Sequence, residues 1–340
     1  MITRILVILS LVLIPLTARA ADGYHLTNTI SLPDAGGWDY STVDNAARRV
    51  YVSHGTEVDV LDADSEKLVG TIPGFEGVHG IAIAEDLGRG FISDGRANVV
   101  VIFDLKTLQK LGIVETGKNP DAITYDPATK KVFAFNGGSG NATAIDALTG
   151  KVTGTIDLGG KPEFSAADGS GLLFDNLEDK STLIEIDARQ QKVVQQWPLA
   201  PGEEPSSLAI DRKNHRLFAG CHNNMLVVIN YDTGKVVATA PIGEGVDATV
   251  FDPQTSLVIT SNGGGTITVI HQDAPDKYHV VETVNTRQKS RTLALDEKTH
   301  RLFIPAAAFG PAPAPTTEQP HPRPPLVPGS FSVLVFDNSK

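Results

Sequence analysis

Short apolar runs recur along this chain, separated by turns rich in Gly, Asn, Asp and Pro. Within the runs, apolar and polar positions alternate with the two-residue period of a half-buried strand, and no stretch sustains a helical period. Two phrases return about every 42 residues. In the first, an acidic residue precedes a turn and an apolar strand; its markers are Asp44, Glu85, Asp126, Asp168, Asp211, Asp252 and Asp296. In the second, an alternating strand ends in Asp or a near substitute, at Asp62, Asp104, Asp146, Asp187, Asn230, His271 and Asp337. A repeat of about 40 to 45 residues carrying four short strands is one blade of a β-propeller. The pattern therefore predicts an all-β, seven-bladed propeller.

The ends of the chain indicate how the ring closes. Residues 24–30 (YHLTNTI) resemble residues 278–284 (YHVVETV), which form the fourth strand of the sixth repeat. The seventh repeat stops after its third strand, residues 331–336. The N-terminal strand is expected to complete the last blade, which leaves no open sheet end. The phrases VYVSH (residues 50–54) and KVVATAPIG (residues 235–243), with DALTGK (146–151) and NYDTGK (230–235) turns, resemble the YVTN-type β-propeller repeat proteins over nearly the whole chain after the leader. That resemblance implies the fold and, often, export or a surface location; it implies no particular activity. The fourth repeat, one residue short around Asp168, and the seventh depart from its pattern.

Composition adds the compartment and excludes some partners. Hydrophobic residues are 41% and charged residues 20% of the chain, which suits a folded domain rather than a disordered chain or a coiled coil. Arg4, an apolar run over residues 5–16 and Ala18-Arg19-Ala20 read as a cleaved signal peptide, too short to span a bilayer. Residues 1–20 are thus expected to be a signal peptide and 21–340 a single propeller domain, periplasmic or secreted, monomeric and without a membrane span. Loss of Arg4 and Arg19 takes the net charge from −11 to about −13, which disfavours nucleic acid as a partner. A single cysteine, Cys221, leaves no internal disulfide.

Aligning the repeats predicts which residues meet at the top-face channel mouth. Links between blades bring Asp39, Gly80, Asp121, Glu163, Ser206, Asp247 and Arg291 to equivalent places, with Trp38 and His79 one position earlier in their own repeats. The loops between second and third strands add His54, Asp94, Asn136, Asn176, His222 beside Cys221, and Asn262. Turn capping alone would explain any single Asp or Asn here. Four carboxylates and an Arg at one ring position, with a neighbouring His, instead point to a bound ligand. A divalent cation is the cofactor Asp39, Asp121, Glu163 and Asp247 would hold. A Pro-rich insertion, about residues 305–329, springs from the same face. It either folds over the mouth as a lid, with Phe309 and His321 reaching inward, or runs as a solvated loop.

Other motifs carry less. Asp62, Asp64 and Glu66 lack the glycine and distal Glu of a calcium loop. Cys221 and His222, adjacent in a strand, point to opposite faces and make a poor nucleophilic pair. The basic pairs Arg48-Arg49 and Lys130-Lys131 fall in bottom-face turns, where they are expected to be solvated. Two functions fit. One is a binding or scaffold protein holding a small molecule, a cation or a protein partner at the mouth. The alternative is a metal-assisted hydrolase or lyase like the propeller lactonases and streptogramin lyases, an analogy from fold.

Overall fold

The computed structural model describes residues 23–33, 36–316 and 322–339. Seven four-stranded antiparallel sheets form the blades. Their innermost strands are Trp38–Asp44, Val78–Ala84, Pro120–Asp126, Pro162–Ala167, Pro205–Asp211, Val246–Asp252 and Ala294–Asp296, and the blades are numbered in that order. The N-terminal strand Gly23–Ser31 pairs antiparallel with Ser332–Ser339 as the outer strand of blade 7, with Tyr24 opposite Asn338 and Ile30 opposite Val333. The ring closes as the repeat predicted. The signal-peptide reading falls outside the described residues, as does His321. Among the described residues no helix is long and apolar enough to cross a membrane.

Apolar alternation becomes seams between blades. Val50, Val52 and Leu61 of blade 1 pack on Phe303, Val333 and Val335 of blade 7, and Ile30 and Leu32 join the same cluster. Tyr24, on the same strand, reaches the opposite seam with Ile259 and Ile267 of blade 6, and its hydroxyl donates to the His300 carbonyl at 3.0 Å. One terminal strand therefore ties two seams. Each fully buried Phe or Leu contributes roughly 1.5–3 kcal/mol, so closure is stabilised by packing as much as by strand pairing.

The repeated acids are turn caps. Asp44 accepts the Ala47 N–H at 2.8 Å, Asp104 the Thr107 N–H at 2.7 Å and Asp146 the Thr149 N–H at 2.7 Å. A short side chain returning to the backbone two or three residues on is what such turns require. Asp62, at the rejected calcium motif, does the same with the Ser65 N–H at 2.6 Å.

Two sequence readings need correction here. The bottom-face basic pairs are not merely solvated. Arg48, with a side chain only 12% exposed, forks between Asp64 at 2.8 Å and the fully buried Asp296 of blade 7 at 2.5 Å. Arg49 donates to the Leu105 carbonyl of blade 2, and Lys130 pairs with Asp86. These residues staple neighbouring blades. Asn176 is also misplaced by one position. Pro162 pairs with Leu177, where Pro120 pairs with Asn136. The shortened turn after Asp168 advances the strand, so Leu177 occupies the expected loop position and Asn176 lies inside the blade.

Candidate functional site

The first residues of the inner strands do not pair regularly. In blades 1, 3 and 6 the register slips between Trp38 and Ser41, Pro120 and Ile123, and Val246 and Ala248. Blade 4 slips between Pro162 and Ser165. Such irregularities re-aim side chains, and they fall at Asp39, Asp121, Asp247 and Glu163. Inner-strand carbonyls there find side-chain donors on the second strand. Ser53 Oγ donates to the Tyr40 carbonyl at 3.0 Å and Ser93 Oγ to the Asp121 carbonyl at 2.5 Å. Blade 2 contributes no ring side chain, because a Cβ at Gly80 would lie 2.7 Å from the Asp121 carbonyl oxygen. His79 reaches inward instead.

These residues surround an axial well of about 180 Å³, lined by Asp39, Tyr40, His79, Asp121, Glu163, Asp247, Arg291 and Thr292. Arg291 sits 2.6 Å from Asp247 and 3.7 Å from Asp39. His79 Nδ1 lies 2.6 Å from Asp39 Oδ2 and 3.7 Å from Asp121 Oδ1. Lys161 stands 3.2 Å from Glu163 at the rim. The floor is Tyr40, stacked on Phe164 with ring centroids 5.1 Å apart and donating to the Glu163 carbonyl at 3.0 Å. Beside it, the buried Thr292 hydroxyl has no hydrogen-bond partner. Below the floor a separate channel of about 470 Å³ runs between apolar groups such as Ala166, Leu208, Ala248 and Leu293.

Crowding shifts the titrations. Burial pushes Asp247 up to about 8, against the pull of Arg291 and with the field of Asp39. Burial and Asp39 push Asp121 up to about 7. Glu163 rises through burial and Glu178, opposed by Lys161. Burial would lower His79, but its bond to Asp39 and the field of Asp121 outweigh this and raise it to about 8. Behind the well, Asp175 is fully buried with neither carboxylate oxygen bonded. Desolvation, then Glu163 and Asp121, hold it well above its ordinary value. The well thus holds four carboxyl groups too crowded to ionise together.

The well opens upward into two clefts. One, of about 570 Å³, lies between Trp38, His222, Lys289, Arg291, Phe309 and Arg323; the other, of about 390 Å³, between Trp38, His79, Arg96, Arg291 and Arg323. The described legs of the Pro-rich insertion zip together beside them. Gly310 N–H donates to Pro325 and Val327 N–H to Ala308, both at 2.9 Å. Phe309 lies 6.0 Å from Trp38, under the Lys289 ammonium at 4.1 Å. Trp38 is both wall and packing residue, since its ring also lies 5.5 Å from that of the buried Phe331.

The structure therefore brings together Asp39, His79, Asp121, Glu163, Asp247 and Arg291, with Trp38 and His222 in the outer cleft. The remaining candidates are held by contacts away from the well. Asp94 accepts the Glu76 and Gly77 N–H groups, each at 2.9 Å. Asn136 donates to Asn141 and Thr143, Asn262 to Thr266 and Thr268, and Asn176 to the Ser207 carbonyl. His54 bonds Asp59 at 3.1 Å and stacks on Phe331. All five are buried and hold loops in place. Cys221 is buried, which pushes its thiol up to about 12 and leaves it unreactive.

Repeat alignment missed several residues. Tyr40 and Thr292 share one repeat position, immediately after the ring residues, and an aromatic in that inner-strand place was a readable signal. Asp175, a lone acid inside the apolar LLFDNL strand, broke the alternation visibly. Glu178 was hidden by the shortened fourth repeat; it pairs with Lys161 and lies 4.0 Å from His222. Nothing in the repeat marked Lys289 or Arg323.

The fold and well define a seven-bladed β-propeller with an acidic axial cavity on its top face. No family model matches the chain, and no curated protein matches it. Among solved structures, a chain of the Kuenenia stuttgartiensis hydrazine synthase is 15% identical, covering 81% of this chain and 94% of that one, with a TM-score of 0.67. A chain in the crystal structure of the mitotic checkpoint complex is 13% identical, covering 98% of each, with a TM-score of 0.76. At these identities the likeness shows the fold alone. Matches to 1806 solved chains mark an architecture too widespread to select a chemistry.

Proposed function

We propose that this chain is an exported, YVTN-type propeller that binds a small ligand carrying a positive charge, seated in the axial well. One observation carries the reading. Four carboxylates share a well of about 180 Å³, and burial has pushed two of them up to about 7 and about 8. A cationic group entering the well would let those carboxyls ionise, so the destabilisation stored there becomes binding free energy. The Thr292 hydroxyl supplies a neutral partner at the floor. The wider cleft, with Trp38 and Phe309, suits the apolar body of an organic cation. Export rests on the leader-like N-terminus, and the repeat family on the VYVSH and TGK phrases.

A second reading has its own support. Single ligand atoms of Asp39, His79 and Asp121 lie within 4.8 Å of one another. A divalent cation there would have open positions for water or a carbonyl oxygen, as metal-assisted hydrolysis requires. Calorimetric titration at pH 8 with a panel of primary and quaternary amines, and separately with Zn²⁺, Mn²⁺ and Ca²⁺, tests both. An organic cation should bind, and Asp121→Asn with Asp247→Asn should weaken it at least about 100-fold, or ~2.7 kcal/mol. Stoichiometric metal lost in the same variant would favour the hydrolase. If no organic cation binds the folded protein and no metal is lost in the variant, the site reading fails.

A further inference from the structure

The third and fourth strands of blade 6, Thr266–Ala274 and Lys277–Asn285, run to nine residues each, where those of blades 1 to 5 have six or seven. Their turn lies at the bottom outer rim, far from the axial well in the blade's topology. At this position blades 1 to 5 place a turn-capping Asp or Asn, and blade 6 has His271. His271 stands directly opposite His279 across the hairpin, so both rings lie on one face. The register then slips between Gln272 and Ala274. That slip releases Asp273 from pairing and turns it toward both rings. Asp273 Oδ1 lies 2.9 Å from His271 Nδ1, and Oδ2 lies 3.1 Å from His279 Nδ1. Other bottom-face histidines pair with a single carboxylate, His215 with Asp232 and His300 with Asp252.

We propose that His271, Asp273 and His279 form a surface site for a borderline divalent cation such as Zn²⁺, with two imidazole nitrogens and one carboxylate oxygen as ligands and water completing the shell. Two nitrogens and an oxygen suit Zn²⁺, Ni²⁺ or Cu²⁺ and are a poor set for Mg²⁺ or Ca²⁺, which take oxygen. Bonds of about 2.0–2.1 Å at tetrahedral angles need ligand atoms about 3.4 Å apart. The two contacts of Asp273 use different carboxylate oxygens, Oδ1 toward His271 and Oδ2 toward His279; one ligand atom from each residue falls within 4.8 Å of the others, so the three would draw in around an ion.

The hairpin is held from behind. On its opposite face Gln272 donates to Asp211 at 3.0 Å and to the Tyr278 hydroxyl at 2.9 Å, and Arg216 Nε donates to the Pro275 carbonyl at 3.0 Å. A rigid support keeps three ligands preorganised. The three side chains are 27% to 53% exposed, so the ion would exchange freely with solvent. One feature opposes it: the Lys277 ammonium sits 3.7 Å from Asp273 Oδ2 and competes for the carboxylate.

This site is independent of the axial well, and one titration separates the two. Untagged, chelator-treated full chain is titrated with ZnCl₂ in a calorimeter, beside MgCl₂ as control. Zn²⁺ should bind one site at micromolar Kd, Mg²⁺ should not, and His279→Ala or His271→Gln should weaken that site at least tenfold. Asp121→Asn/Asp247→Asn should leave it unchanged, and Lys277→Ala should tighten it. Thermal denaturation without metal confirms that each variant is folded. The proposal is overturned if wild type takes no Zn²⁺, if the histidine variants bind as wild type does, or if only the well variant loses the ion.

Discussion

The two faces of the disc use the same residue type in opposite ways. On the bottom face blades turn at acids, and most of these acids are satisfied, Glu85 of blade 2 excepted. Asp104 and Asp62 are held below their ordinary values by the N–H and hydroxyl donors of Thr107 and Ser65. Burial would raise Asp296, but Arg48 and Thr299 outweigh it and hold it low. On the top face Asp121, Glu163 and Asp247 share a well with too few donors, and burial drives all three up. A carboxylate that folds in with its partners stabilises the ring; one that folds in without them stores free energy for a partner yet to arrive. The contrast separates scaffold from site more clearly than burial does, since Asp296 is as buried as anything in the well.

The hardest blow to this contrast would be struck at Arg48. Arg48→Ala leaves Asp296 buried without its cation, and should cost about 3 kcal/mol in urea denaturation. A loss near that of an exposed pair would mean that the bottom-face acids are not held as described. Next in size is the pH dependence of the ligand-free protein. Unfolded, Asp121 and Asp247 titrate near the ordinary carboxylate value of 3.8; folded, they titrate at about 7 and about 8. Between those limits the folded state holds more protons, so stability falls as pH rises. His79, raised to about 8, acts in the same direction, its contribution being complete below ~6.5 and lost through about 8. A loss of ~2 kcal/mol from pH 6 to 9 would lower Tm by about 3 °C in a domain of this size. A Tm that rises over that range contradicts the crowded well.

Asp121→Asn sharpens the point. Removing one charge from the well should stabilise the protein at pH 8.5 by ~1 kcal/mol and flatten the pH profile, as expected at a site built for binding. Destabilisation of that size would place Asp121 among the scaffold acids. Least of all should happen at Lys130, whose pair with Asp86 is half exposed on both sides. Lys130→Ala should shift denaturation by under ~0.5 kcal/mol, the ordinary worth of a surface ion pair.

How far the sequence reached differs between these two faces as well. The bottom-face turns were legible because an Asx turn is local, with donor and acceptor two or three residues apart in one phrase. The ring of Asp39, Asp121, Glu163, Asp247 and Arg291 was also legible, because a repeat carries equivalent positions to equivalent places. His54, Asp94, Asn136 and Asn262 occupy their aligned positions too, but alignment says nothing about which way a side chain turns. A partner elsewhere in the same blade decided that, Asp59 for His54 and Thr143 for Asn136. Asn176 failed for a simpler reason: a single missing residue shifts a strand by one and reverses its faces.

The order of strands, the count of blades and the closing strand follow from the chain's own periodicity, because alternation and turn chemistry act over a few residues and repeat seven times. The grip of Arg48 on Asp296, the meeting of Tyr40 with Phe164 and the crowding of carboxyls in the well belong to tertiary structure alone. Arg48 and Asp296, like Tyr40 and Phe164, are more than 120 residues apart, and the well draws its groups from six blades; the energies depend on distances and desolvation that no local pattern encodes.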